Sequence, residues 1–264
     1  GEMAGDNALT APFFIETERR GRDREDKPEY KVKLSAAFCF SNTVNRIEYY
    51  HCRNLMASGL SGFKALSARD ARTQNIIKEL TGRDAGIVCD PAILYEFPLD
   101  KFKVPSGTPK QDYMVVYSYD ARFTSPDEIR AIKDYANKHN LKTVSVGTYH
   151  GWCDKNIVCN ALEWLKCIAG AKLVVTDTFH GTIASAITNR PVAIHYSQQV
   201  NSSKMLDLVM RLGLEDRMLK NIASDELERV FAREQDMDRL NQRIAELREE
   251  SDRYLRQAIN NITQ

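Results

Sequence analysis

The chain lacks any run of about 18 consecutive apolar residues, the length a helix needs to cross a bilayer. It also lacks an excess of charge of one sign: 37 Lys and Arg stand against 36 Asp and Glu, a formal net charge of +1. A sequence-independent nucleic-acid binder needs a basic excess for its phosphate contacts, so nucleic acid is excluded as a partner of that kind. No CxxC pair occurs among the six cysteines, Cys39, Cys52, Cys89, Cys153, Cys159 and Cys167. Cys39, Cys89 and Cys167 lie in apolar runs, where a free thiol behaves as a small buried hydrophobe. Their irregular spacing reads as reduced thiols in a cytoplasmic protein. His150, Cys153 and Cys159 are metal-ligand types without a fourth at metal-like spacing, so no metal is expected. The first residue is Gly1 rather than Met, and no basic segment followed by an apolar stretch marks a leader. The expectation is a trimmed or internal start, or a natural short form.

What is present is an alternation of strand and helix patterns. A polar opening, dense in charge from Glu16 to Glu29, runs to about Lys31. The pattern then predicts strand Lys33–Phe40, helix Arg46–Met56, strand Phe63–Ala68, helix Asp70–Leu80 and strand Gly86–Cys89, closed by Asp90-Pro91. Such alternation with short linkers is the signature of parallel βαβ units. Pro98, Pro105, Gly107 and Pro109 interrupt it and mark a linker over residues 96–111.

A second alternation follows. Strands are predicted at Tyr113–Tyr119, Leu141–Val146, Lys172–Thr176 and Pro191–Tyr196. Helices are predicted from Ser125-Pro126 to about His139, over Asn156–Ala169 and His180–Thr188, and from about Ser203 and Asp225. In the last segment Met237, Leu240, Ile244, Leu247, Tyr254 and Ala258 keep 3/4 spacing, interrupted by Ser251 in the same register. The expected organisation is an N-terminal Rossmann-like half over residues 1–104, a C-terminal Rossmann-like domain over 105–234, and an amphipathic helix over 235–264 packing back on the domains. A coiled-coil contact is the other use of such a stripe, and with it a homo-oligomer.

In open parallel sheets ligands bind outside the carboxyl ends of strands, often at the following helix N-terminus. Three strand ends carry unusual residues. The first is Lys172-Leu-Val-Val-Thr-Asp-Thr-Phe-His-Gly-Thr182, an apolar strand running into Asp177, Thr178, His180, Gly181 and Thr182. A glycine at a helix start lets a ligand approach free amides that favour an anion, and a histidine there binds that anion or moves a proton near neutral pH. The alternative is purely structural: His180 caps the helix and Asp177 satisfies amides. The second end, Gly147-Thr-Tyr-His-Gly-Trp152, offers His150 and Trp152 to a sugar ring, or packs Trp152 beneath the loop. The third places His195 at the same edge.

The stretch Val174-Val-Thr-Asp-Thr-Phe-His-Gly181 with Arg190-Pro-Val-Ala-Ile194 resembles the signature of the polysaccharide pyruvyl transferases. Ser67-Ala-Arg-Asp70 and Cys89-Asp-Pro-Ala-Ile-Leu94 are similar to two weaker blocks of that family, and the resemblance spans roughly residues 33 to 220. It implies a glycosyltransferase-B-like α/β fold of two Rossmann-like domains, here with a short N-terminal half. It also implies pyruvyl transfer from phosphoenolpyruvate onto two hydroxyls of a sugar, forming a cyclic ketal on a cell-surface polysaccharide or its precursor. No cofactor is expected beyond that donor substrate. On this reading His180 and Asp177 are catalytic; Arg69, Thr178, Gly181 and Thr182 bind the donor; His150, Trp152 and His195 bind the acceptor.

Several members carry arginine two positions before the histidine, where this chain has Thr178. A lipid-linked acceptor would bring the protein to the inner face of the membrane without a spanning segment. Two other functions stay open: a nucleotide-sugar glycosyltransferase on the same fold, against which the lack of a Gly-rich turn counts, and a catalytically silent sugar- or anion-binding homologue.

Overall fold

A computed structural model describes residues 47–196 and 203–263. The predicted strand Lys33–Phe40 lies outside the described residues. The chain forms two compact units: one ends at Leu94 and takes in the chain from Glu246 onward, and the other spans Tyr95–Ala245.

In the first unit the elements are α1 (Arg53–Ser61), β1 (Ser67–Ala68), α2 (Ala71–Thr81), β2 (Gly86–Ile87) and α3 (Pro91–Leu94). The helix predicted from Arg46 is interrupted at His51, whose φ of 51° is left-handed: residues 47–49 are helical, and a separate helix starts at Arg53. The second helix matches its sequence signal. Asp70 Oδ1 accepts from Thr73 N at 2.8 Å, and the helix stops at Gly82 in the left-handed conformation (φ 70°) that favours glycine. β1 and β2 pair in parallel, Ser67 opposite Gly86, and their apolar side chains join Leu60, Phe63, Ile76 and Ile77 in a small core.

The second unit carries β3 (Tyr113–Tyr117), α4 (Pro126–Lys138), β4 (Lys142–Val146), β5 (Lys155–Ile157), α5 (Ala161–Ala169), β6 (Leu173–Thr176), α6 (Phe179–Ile187), β7 (Val192–His195), α7 (Ser203–Leu212), β8 (Met218–Leu219) and α8 (Ser224–Ala232). Six parallel strands line up in the order β5-β4-β3-β6-β7-β8. Numbered within the unit this is 3-2-1-4-5-6, the doubly wound order whose direction of winding reverses between β3 and β6. Residues 113–116 are all buried, as expected for a central strand covered on both faces. Met114, Val116, Ile132, Tyr135, Leu227 and Val230 are among the residues that fill the core between the sheet and the α4–α8 pair.

Two departures from the predicted elements have local causes. Asn156 and Ile157, assigned above to a helix, join Lys155 in β5, because the helix start is set further on by Asn160. Its side chain accepts from Leu162 N and Glu163 N, and Glu163 Oε2 accepts from Asn160 N, a complete capping box. Ser125 stands at the cap position of α4, but its side chain makes no capping bond.

The closing helix α9 (Met237–Thr263) buries Leu240, Ile244, Leu247, Ser251 and Ala258. Ser251 is part of the design: its Oγ accepts from Cys89 N at 2.8 Å. Tyr254 donates its hydroxyl to Leu66 O, and Gly86 leaves room for that ring, since a Cβ there would lie 2.1 Å from Tyr254 Cε2.

Candidate functional site

The reversal between β3 and β6 puts two strand ends side by side, Tyr117 in register with Thr176. Loops leaving such a pair diverge to opposite faces of the sheet and open a crevice between them. The motif singled out in the sequence leaves β6 at this point: Asp177, Thr178, His180, Gly181 and Thr182 all sit there. His180, on the first turn of α6, is exposed. His195, at the end of neighbouring β7, is half-buried at the same edge.

Several motif residues are held by internal bonds. Thr178 caps α6, its Oγ1 accepting from Gly181 N at 3.0 Å. Thr176 Oγ1 donates to Tyr117 O at 2.6 Å and accepts from Thr178 N, which stitches the two strand ends together. Thr182 is fully buried and donates to Thr178 O. Gly181 has no space beside it. A Cβ would stand 2.3 Å from Thr176 Oγ1, 2.6 Å from Thr178 Oγ1 and 2.8 Å from Tyr117 Cδ1. The glycine is thus required by the closeness of α6 to β3 and β6, independently of the ligand approach expected above.

Asp177 is almost wholly buried. Its Oδ2 accepts from Arg122 Nη1 at 2.9 Å, while its Oδ1 is buried with no hydrogen-bond partner. Ser118, the next residue beyond β3, has a buried Oγ in the same condition. Two unsatisfied polar atoms thus stand at adjacent strand ends, which makes this edge the candidate site. Arg122 also lies over the ring of Tyr119, with Cζ 4.7 Å from its centroid. The turn that presents it is strained, because the buried Phe123 adopts a left-handed φ of 53°. The Phe123 ring is held between His150 and His195, at centroid distances of 6.4 and 6.0 Å.

His150 is buried, not presented: Nε2 lies 3.3 Å from Ser118 O, and the ring is flanked by Phe123 and Trp152. Burial pushes its pKa down, against the backbone bond to Ser118 and the charges of Asp120 and Asp177. Burial likewise lowers His195, opposed by Glu128 and Asp177. Trp152 is half-buried against the core beneath its loop. Burial also raises the Cys153 thiol to about 12, which opposes the thiolate that metal ligation needs. Among the described residues there is no group of three or more His, Cys, Asp or Glu placed to hold a metal.

Arg69 belongs to the first unit, where Nη1 bonds Asp90 Oδ2 at 2.5 Å. Asp90 also accepts from Ala92 N, so it serves both a turn and this ion pair. The pairing of β1 with β2 therefore unites the Ser-x-Arg and Asp-Pro blocks. A cavity of about 620 Å³ opens at the opposite, amino-terminal end of the second unit's strands, lined in part by Lys110, Lys142, Asp154 and Lys155. It lies away from the His-Gly edge.

The charged group at this edge missed above is Arg122. Its signal was the strand order: if a 3-2-1-4-5-6 sheet is assumed, the loops after the unit's first and fourth strands must adjoin.

The second unit is thus a Rossmann-like domain with an acid, a cation and an exposed histidine at its winding reversal. The chain belongs to the polysaccharide pyruvyl transferase family, whose sequence profile matches residues 26–196. No curated protein matches it. Among solved structures it is similar to a putative UDP-N-acetylglucosamine 2-epimerase from Listeria monocytogenes, at 12% identity and TM-score 0.46, covering 74% of this chain and 59% of that one. It is also similar to a UDP-GlcNAc 2-epimerase from Methanocaldococcus jannaschii, at 13% identity and TM-score 0.45, covering 65% of this chain and 54% of that one. A third is UGT2 of Phytolacca americana, at 12% identity and TM-score 0.45, covering 82% of this chain and 58% of that one. The chain spans roughly half to three fifths of the length of these structures. No helix of the described residues is long and apolar enough to cross a membrane.

Proposed function

We propose that the chain transfers pyruvyl from phosphoenolpyruvate to a pair of hydroxyls on a sugar of a cell-surface polysaccharide or its precursor, forming a cyclic ketal and releasing phosphate. The observation that carries this, beyond family membership, is the exposed His180 beside the buried Asp177–Arg122 pair at the winding reversal. Phosphoenolpyruvate is highly anionic near neutral pH, and such a donor calls for a cation and a proton source.

The chemistry assigns a role to each group. A proton added to the vinyl carbon makes it a methyl and leaves an oxocarbenium-like C2. One sugar hydroxyl attacks C2, and the second closes the ring as the C–O bond to phosphate breaks. Two hydroxyl protons are lost; one balances the methyl and the other leaves with phosphate. His180 is the acid and binds a donor oxyanion. Arg122 supplies the cation that an arginine at position 178 gives other members, held in place by Asp177. Asp177 Oδ1, without a hydrogen-bond partner, is the acceptor for a hydroxyl proton.

Because phosphoenolpyruvate is a cytosolic metabolite, the reading places the reaction in the cytoplasm, at the membrane's inner face if the acceptor is lipid-linked. The test is phosphate release from phosphoenolpyruvate in the presence of a saccharide acceptor. Release that depends on both the acceptor and His180 supports the reading, and its absence with every saccharide tried refutes it.

A further inference from the structure

Large aromatic side chains are usually at least partly covered, yet two stand in solvent on the loops after β3 and β4, the first of which carries Arg122. Tyr119, on the turn after β3, is 54% exposed, and Tyr149, on the loop after β4, is 66% exposed. Asp120 ties these loops together: its Oδ1 accepts from Tyr149 N at 2.9 Å. Its Oδ2 makes no hydrogen bond among the described residues, and the residue is exposed. Tyr119 O accepts from Arg122 N at 2.8 Å, so the turn carrying the exposed ring also carries the arginine that holds Asp177. The guanidinium over one face of Tyr119 fixes that ring.

The two flanking residues with the more obvious sugar-binding look, His150 and Trp152, are packed beneath these loops. What remains on the surface is two exposed aromatic rings on loops that the Asp120 carboxylate joins, one of them on the turn that carries Arg122. That combination matches the two-sided chemistry of a pyranose, which has an apolar face of C–H groups and a rim of hydroxyls. An aromatic face takes the first, and a carboxylate oxygen accepts from the second.

We propose that Tyr119, Asp120 and Tyr149 form the acceptor subsite, binding a pyranose ring by its C–H face with a hydroxyl donated to Asp120 Oδ2. This deepens the pyruvyl-transfer reading and rests on it for the identity of the acceptor. Saturation-transfer NMR with the methyl glycosides of galactose, glucose, mannose and N-acetylmannosamine tests it without requiring turnover. The expected result is saturation concentrated on the ring C–H protons of at least one glycoside. Y119A and Y149A should weaken it, and Y119F and Y149F should keep it. In the transfer assay each alanine variant should raise the acceptor KM by about three- to tenfold, with the donor KM unchanged. The thermal midpoint should not move, since both rings are exposed.

No saturation of any glycoside, with or without phosphoenolpyruvate, overturns the subsite, as does saturation unchanged in the Y119A/Y149A double variant. A rise in donor KM alone also overturns it. Glycoside binding that depends on the tyrosines, with no phosphate release, supports the subsite and refutes pyruvyl transfer. Phosphate release with acceptor KM unchanged in the variants does the reverse.

Discussion

Gly181→Ala separates the two uses of the glycine in the His-Gly motif. The added Cβ would fall inside 3.0 Å of three atoms: Thr176 Oγ1, Thr178 Oγ1 and Tyr117 Cδ1. None is the far end of a flexible chain. Thr176 Oγ1 is bonded to Tyr117 O and to Thr178 N, and Thr178 Oγ1 is the helix cap, so relief means breaking the stitch between β3 and β6 or lifting the first turn of α6. Overpacking of this kind costs about 1–3 kcal/mol, offset by up to about 1 kcal/mol of alanine's better helix propensity. With three atoms inside 3.0 Å the overpacking lies at the upper end, about 2–3 kcal/mol, so the net is about 1–2 kcal/mol of destabilisation. For a unit of this size each kcal/mol lowers the unfolding midpoint by about 2–4 °C, so a fall of about 2–8 °C is expected. Differential scanning calorimetry of G181A beside the parent protein measures it. An unchanged midpoint with lost phosphate release would refute the packing argument and return the glycine to a role in ligand approach.

Replacing His180 by Ala should abolish phosphate release while leaving the midpoint nearly unchanged, because the side chain is exposed; a large stability loss in urea titration would make it a structural residue instead. Arg122→Met leaves Asp177 buried without its cation and should cost about 3 kcal/mol in chemical denaturation, whereas R122M/D177N together should lose less. Equal losses would remove the coupling. Burial holds His150 and His195 below the ordinary value of 6.5, so each binds fewer protons folded than unfolded. Their contribution to stability is therefore fully present above pH 6.5 and is lost as pH falls through the lower folded values, which a series of melting curves from pH 7.5 to about 5 would record. A flat series would refute it.

The alternation of elements was legible because each strand of the second unit is short, apolar and closed by a polar turn, as in Leu173–Thr176. So was the edge that carries the site, since the His-Gly motif announces itself by composition. What the sequence hid were consequences of neighbourhood. Arg122 lies 55 residues from Asp177, and only the strand order makes them partners. His150 looked like a ligand-facing group, but the ring is enclosed by Phe123 and Trp152, which no local pattern reveals. Ser251 read as a flaw in an apolar stripe, yet it accepts a bond from Cys89 N, 162 residues away. Asn156 and Ile157 fall within the predicted helix because the decisive signal, Asn160 with Glu163, comes after them.

The winding order also sets a timetable for the nascent chain. β3, β4 and β5 can pair as soon as residue 157 has been made, but the other edge of β3 stays unpaired until β6 arrives at residues 173–176. At about 5–20 residues per second that edge waits roughly 3–12 s after β3 is complete. An apolar strand with open N–H and C=O groups is the kind of surface that recruits chaperones or pairs wrongly with another chain. The crevice with Arg122 and Asp177 does not exist until that gap closes. The edge that carries the candidate site is thus built only once β6 has been made, well after the unit's first three strands.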